Sequence, residues 1–178
     1  MDLEYEILRE HSKRQAVRIA NWVGDDKRRF KELMEVFLKG EYRVTQRSAW
    51  MVSHCYDRHP QLLTPWIPAM VKKIREPGVH DAVKRNVVRI LSGVEIPRSL
   101  LGRIVALCFD YLNSPTEPIA VKVHAMTVLY NAARREPELM HEVQWSIEQM
   151  LPYVGPAIRS QGRRLLKKIE GQQKGLGK

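Results

Sequence analysis

The sequence lacks any apolar run that approaches the roughly 18 residues of a membrane-spanning helix. Its first residues, MDLEYEILRE, are acidic and lack the basic and then apolar order of a secretory signal peptide. It has only two cysteines, Cys55 and Cys108, and both lie within apolar helical patterns. These features predict a cytoplasmic protein with two reduced, buried thiols, rather than a membrane protein or a secreted protein held by disulfides.

The sequence also lacks the short motifs that mark common catalytic and metal sites. It contains no glycine-rich phosphate loop, no Cys-x-x-Cys and no His-Glu-x-x-His. Its six histidines are spread over separate segments, and neither cysteine has an obvious activating partner. We therefore predict no catalytic residue, no metal site and no cofactor.

Positive charge, by contrast, is in excess. Thirty Lys and Arg residues against twenty Asp and Glu give the 178-residue chain a net charge of +10. The excess is uneven, because the segment from Pro156 to Lys178 holds seven basic residues and one acidic residue, whereas the first ten residues hold four acidic residues and one arginine. This balance permits binding to nucleic acid or to another polyanion without requiring it.

Proline and glycine divide the chain into nine segments in which apolar residues recur every three or four positions, as in amphipathic helices. No segment alternates with a period of two, so no strand is predicted. Every second segment aligns with the others on a small or apolar anchor, and the anchors lie 33, 38, 38 and 37 residues apart. The anchors are Ala16, Ala49, Val87, Ala125 and Gly162. We name the anchored segments the B helices and the segments between them the A helices.

Helix pairs of about 37 residues, with these anchors and a basic residue near the start of the B helix, resemble HEAT repeats. The basic residue lies three positions before four of the anchors, at Lys13, Lys84, Lys122 and Arg159. The chain is also similar to small bacterial HEAT-repeat proteins. The resemblance implies an all-α, right-handed α-α superhelix of the HEAT or armadillo type, with about nine helices. We expect one domain over residues 1–171 and a flexible tail over residues 172–178.

One face of each B helix is predicted to be exposed. At about 100° per residue, the positions −2, +2 and +5 from the anchor point away from the core. In HEAT-like folds the B helices line the concave surface, so these positions are expected to face its groove. Met51 lies among them, and Lys122 lies beside them. We name the candidate binding residues the basic row: Arg14, Arg18, Arg47, His54, Arg85, Arg89, Lys122, Tyr130, Arg164 and Lys167.

The basic row contains almost no acidic residues, which favours binding of an anionic partner. Its arginines could instead be solvated, or could pair with acids on the next repeat. The favoured function is a non-enzymatic binding scaffold that presents a basic concave surface to a protein or another anionic partner, with no membrane and no metal involved.

The alternative is a nucleic-acid-binding protein related to the HEAT-like DNA alkylation repair glycosylases. Those enzymes hold DNA on a basic concave face that carries tryptophans and a catalytic aspartate. In this sequence Trp50 lies beside the basic row, but no aspartate occupies the row, and Asp57 is placed nearer its flank. The other three tryptophans are predicted to be packing residues: Trp22, Trp66 and Trp145.

Overall fold

The computed structural model describes the backbone of residues 1–176 and the side chains of residues 1–172. Within this range the chain forms α-helices and short 3-10 turns, and no strand. The helices are α1 (Leu3–Arg9), α2 (Lys13–Val23), α3 (Lys27–Lys39), α4 (Tyr42–Arg58), α5 (Ile67–Lys73), α6 (Asp81–Leu91), α7 (Arg98–Asn113), α8 (Ile119–Arg135), α9 (Met140–Met150) and α10 (Pro156–Leu176). The 3-10 turns are Pro60–Leu62, Thr64–Trp66, Pro137–Leu139 and Leu151–Tyr153. The predicted all-α fold is confirmed.

The chain divides into two compact units, Met1–Ile96 and Pro97–Lys178. In unit 1, the helices α2, α3 and α6 pack against α4. In unit 2, the helices α7, α9 and α10 pack against α8. The predicted B helices correspond to α2, α4, α6, α8 and α10, so each unit is built around a B helix. The single domain over residues 1–171 stays a prediction.

The anchors of the B helices are buried, as their register predicts. Ala16, Ala49, Val87 and Ala125 are at most 1% exposed. Gly162 is also buried, and a Cβ atom added there would lie 2.8 Å from Cδ2 of Leu151. Small residues at the anchors therefore let the helices of each unit approach closely, so that the larger apolar side chains around them are removed from water. Burial of each such Leu or Ile side chain contributes about 1.5–3 kcal/mol.

The first predicted segment, from Leu3 to Val23, is two helices rather than one. The Ser12 hydroxyl begins α2 by accepting a hydrogen bond from the backbone N–H of Gln15 at 3.1 Å. The buried Gln15 side chain then donates to the backbone carbonyl of Glu6 at 2.6 Å and ties α1 to α2. The first B helix therefore has a short helical partner, and the described helices number ten rather than about nine.

The last helix is longer than its sequence pattern indicates. The pattern predicts a helix from Ile158 to Ile169, whereas α10 continues to Leu176. Residues 172–176 of the predicted tail are thus helical, and residues 177 and 178 lie outside the described residues. Despite its length α10 is strongly polar, and none of the described helices combines the length and apolarity needed to cross a membrane.

Candidate functional site

In unit 1, three arginines of the basic row are paired within the protein. Nη2 of Arg14 lies 3.2 Å from Oε2 of Glu10. Arg18 forms an ion pair with Glu6 of α1. These two contacts join the start of α2 and its middle to the acidic N-terminal segment, so both guanidinium charges are already offset by a neighbouring carboxylate.

Arg89 of α6 makes the third pairing and bridges to α4. Its Nη2 donates to Oδ1 of Asp57 at 2.7 Å, and its Nη1 donates to the Ser53 hydroxyl at 2.6 Å. Asp57, which was predicted nearer the flank, thus reaches the basic row through the neighbouring helix. The row in unit 1 is therefore not free of acidic side chains.

The two carboxylates that meet Arg18 and Arg14 have lowered pKa values. The hydrogen bond from Gln15 is the largest cause that holds the pKa of Glu6 below 4.5, and Arg18 acts in the same direction. Hydrogen bonds from Ser12 and then Arg14 likewise lower the pKa of Glu10. Both carboxylates are ionised at neutral pH, which is the state that offsets the arginines.

Two further arginines of the row in unit 1 differ from each other. Nη1 of Arg47 donates to the backbone carbonyl of Leu8 at 2.8 Å, near the C-terminal end of α1. A positive charge at this end also interacts favourably with the helix dipole. Arg85 is exposed and has no ion pair or hydrogen bond within the described part of the chain. Arg47 thus holds α1 in place, whereas Arg85 is available to a partner.

His54 is packed rather than presented to a partner. The Trp50 ring lies between two histidines, with its centroid 5.8 Å from those of His11 and His54. Burial is the largest cause that lowers the pKa of His54 below 6.5, and the nearby Arg58 also lowers it. Nε2 of His54 is buried and has no hydrogen-bond partner among the described residues. His54 is therefore neutral at pH 7 and adds no cation to the basic row.

Met51 does not reach the exposed face on which the sequence placed it. It is 3% exposed. Both α2 and α6 pack against α4. More of the circumference of α4 is therefore buried than a single helix projection indicates.

In unit 2, α8 and α10 form an open pocket of about 460 Å³. Three of its lining side chains are cationic, and none of its described lining residues is acidic. We name it the α8/α10 pocket, and its described lining residues are Thr127, Tyr130, Asn131, Arg134, Arg164, Leu165, Lys168, Gly171 and Gln172. The arrangement concentrates positive charge at one place on the surface.

Contacts between α8 and α10 hold this pocket in shape. Nε2 of Gln161 on α10 donates to the Thr127 hydroxyl on α8 at 2.8 Å. Nζ of Lys168 lies 5.8 Å from the ring centroid of Tyr130, in a cation–π contact. Arg164 and Lys168 are four residues apart and so share one face of α10. The cations of α10 are thereby held opposite α8.

Only part of the basic row in unit 2 meets in the pocket. Tyr130 and Arg164 line it, whereas Lys122 and Lys167 do not. Tyr130 is only 6% exposed, because α10 packs against α8. It therefore forms a wall of the pocket rather than an exposed residue of the row.

The sequence pattern missed two cations of the pocket, Arg134 and Lys168. Arg134 lies nine residues after the anchor Ala125, and nine residues turn a helix back to the face of positions +2 and +5. One more turn of the same register would have included it. Lys168 lies six residues after Gly162, beside Arg164 but at none of the positions −2, +2 and +5, so the search at those positions did not include it.

Neither thiol is placed for chemistry. Cys55 and Cys108 are at most 1% exposed, and burial raises the pKa of each to about 12. A thiol with such a pKa stays protonated at neutral pH and is a poor nucleophile. Among the described residues, no three His, Cys, Asp or Glu side chains are grouped so that they could hold a metal ion.

The tryptophans differ in their surroundings. Trp22 is partly buried, and the guanidinium carbon of Arg29 lies 5.2 Å from its ring centroid. Trp66 is also partly buried. Trp145 is 56% exposed, so the packing role predicted for it is wrong. It occupies the solvent side of α9, away from the buried Val143 and Ile147.

Comparison with known proteins identifies the repeat. A family model described as HEAT repeat domain matches residues 3–169, which is nearly the whole chain. No curated protein and no solved structure gives a significant match. The matched range includes all five anchors of the B helices. The chain therefore belongs to the HEAT repeat family.

Proposed function

We propose that this protein is a non-enzymatic cytoplasmic scaffold that binds an acidic segment of a protein partner on the basic surface of its B helices. HEAT repeats are helical repeats that commonly mediate protein interactions. The partner is identified by its chemistry, as a segment rich in Asp and Glu.

The α8/α10 pocket is the observation that carries this proposal. It brings together Arg134, Arg164 and Lys168, and none of its described lining residues is acidic. None of the three forms an ion pair within the described part of the chain. In unit 1, by contrast, Arg14, Arg18 and Arg89 each meet a carboxylate of the protein itself. Among the arginines of the basic row, those left for a partner are therefore Arg85 in unit 1 and Arg164 in this pocket.

Such a surface attracts an acidic segment before contact and orients it on contact. The attraction between exposed charges is screened by salt over about 10 Å at 0.1 M ionic strength, so binding weakens as salt is added. Arginine adds specificity, because its planar guanidinium can donate two parallel hydrogen bonds to one carboxylate.

The test is fluorescence anisotropy with a labelled peptide of alternating Glu and Gly residues. We expect Arg164→Gln to weaken binding about tenfold, since a hydrogen bond to a charged group contributes about 1.5–3 kcal/mol. Arg28→Gln is the matched control, because Arg28 is exposed on α3 in unit 1 and its loss lowers the net charge equally. Equal weakening by both variants would show that net charge alone attracts the peptide. The proposal that the α8/α10 pocket binds the peptide would then be wrong.

Nucleic acid is a second candidate partner, favoured by the net charge of +10 and by the exposed Arg85. The alkylation repair activity considered with it depends on an aspartate of the basic face. In this structure Oδ1 of Asp57 accepts a hydrogen bond from Nη2 of Arg89 at 2.7 Å, so this carboxylate is already engaged within the protein. Anisotropy with labelled duplex DNA over a salt series tests this candidate, which predicts a steep decrease in affinity with salt. No binding at about 50 mM salt would remove it.

A further inference from the structure

We infer that the α8/α10 pocket is a subsite for a phosphoryl group carried by a side chain of the protein partner. This inference rests on the proposed scaffold function and specifies the ligand chemistry of its principal site. The occupant is a phosphorylated Ser, Thr or Tyr residue within that acidic segment, rather than a free phosphate.

The charge of the pocket favours a phosphoryl group over a carboxylate. Arg134, Arg164 and Lys168 contribute three positive charges, and none of the described lining residues is acidic. One carboxylate would offset a single charge, whereas a phosphorylated side chain carries about −1.5 to −2 at pH 7. A phosphoryl group also presents three strong acceptor oxygens, so cations from two helices can bind it together.

The paired arginines of unit 1 provide a comparison, because each of them binds one carboxylate of the protein. Arg14, Arg18 and Arg89 each pair with a single Glu or Asp. The α8/α10 pocket differs in both respects, because three cations line it and none of its described lining residues is acidic. Within the described part of the chain, this pocket therefore favours an anion from outside that carries more than one charge.

The shape of the pocket suits a side chain that enters from a bound peptide. Its volume of about 460 Å³ exceeds what a phosphate ion alone would fill, and it falls in the range of about 300–1,000 Å³ that is typical of ligand sites. Gly171 lies on its border, and a Cβ atom added there would meet nothing within 4 Å. The pocket is thus open beside Gly171, where a peptide backbone can approach.

Gly171 also provides the sharpest variant. Gly171→Glu adds a carboxylate beside the three cations without a steric clash, and Glu favours a helix more than Gly does. Gly171→Ala is the matched control, because it adds the same Cβ atom and helix preference without the charge. Circular dichroism and thermal unfolding of both variants establish that the fold is kept.

The experiment uses the full chain and three labelled peptides of one sequence, which carry Ser, phosphoserine or Glu at a single position among neutral residues. We expect the phosphoserine peptide to bind at least about tenfold more tightly than the Glu peptide, since it can accept additional charge-assisted hydrogen bonds. Gly171→Glu is expected to abolish this preference, and Gly171→Ala to retain it. Inorganic phosphate is expected to compete only at much higher concentration than the phosphoserine peptide.

Equal binding of the phosphoserine and Glu peptides would overturn the inference. So would a phosphoserine preference that survives in Gly171→Glu, or inorganic phosphate that competes as well as the peptide. The acidic peptide of the scaffold test separates the two proposals. If that peptide binds and phosphoserine gives no advantage, the phosphoryl subsite fails and the scaffold function stands; if neither peptide binds, both proposals fail.

Discussion

At the scale of single residues, arginine serves two purposes, since some arginines join helices and others border a pocket. Arg89 bridges α6 to α4 by donating to Ser53 and Asp57, and Arg47 donates to a backbone carbonyl of α1. Arg134 and Arg164 instead border an open pocket. The pairs in unit 1 are partly exposed, so each stabilises the fold only modestly.

His54 gives a prediction about pH. Its pKa in the folded protein is lowered from 6.5, chiefly by burial and then by Arg58, with Lys13 and Arg89 adding to this and Asp57 opposing it. As the pH falls below 6.5, the unfolded chain binds a proton on His54 before the folded protein does, so the folded state loses stability. Well above pH 6.5 His54 is neutral in both states and contributes no pH dependence.

We therefore expect the free energy of unfolding of the wild type to fall, relative to that of His54→Gln, between about pH 7 and about pH 5.5. Urea unfolding of both proteins at several pH values measures this difference. A constant difference between the two proteins over that interval would contradict the prediction.

The sequence could predict the register of each B helix but not the side-chain contacts between neighbouring helices. The anchors repeat because each must pack against its neighbours, so their burial follows from spacing alone, as Ala16 and Ala125 illustrate. The contact of Arg89 with Asp57 joins two helices whose relative placement a single helix projection does not contain. Tyr130 is buried for the same reason, since the helix that covers it is 26 residues or more away in the chain.

At the scale of elements, capping residues and glycines decide where the helices begin and end. The break between α1 and α2 had a signal in the sequence, because Ser12 with Gln15 three residues later is typical of a helix start. The end of α10 had a misleading signal, since Gly171 reduces helix preference and yet lies within the helix.

The junction of α3 and α4 provides a prediction about stability. A Cβ atom on Gly40 would lie 2.5 Å from the backbone oxygen of Val36 and 2.9 Å from Cγ1 of Val44. Gly40→Ala is expected to destabilise the protein by about 1–3 kcal/mol, because the backbone oxygen can move only with α3. Urea unfolding followed by circular dichroism measures the change.

Gly102 in α7 is the matched control for this prediction. A Cβ atom there would meet nothing within 4 Å, so Gly102→Ala is expected to stabilise the protein by about 0.5–1 kcal/mol through helix preference. If the two substitutions change the unfolding midpoint in the same direction, the steric explanation for Gly40 is wrong.

At the scale of the whole molecule, each compact unit contains one buried thiol, Cys55 in unit 1 and Cys108 in unit 2. Both are at most 1% exposed with pKa values raised to about 12. We expect a disulfide reagent such as Ellman's reagent to label neither thiol appreciably in the native protein at pH 8, and to label both at once in concentrated guanidinium chloride. Single Cys55→Ala and Cys108→Ala variants assign each rate to its unit, and a thiol that reacts natively as fast as a free cysteine would contradict its burial.

The engaged arginines of unit 1 have a consequence for how this protein can diverge. Replacing the guanidinium groups that hold α1 and α6 to α4 removes contacts between helices. Those that border the α8/α10 pocket lack such obligations among the described side chains. We therefore expect relatives that acquire new partners to vary the second set more than the first.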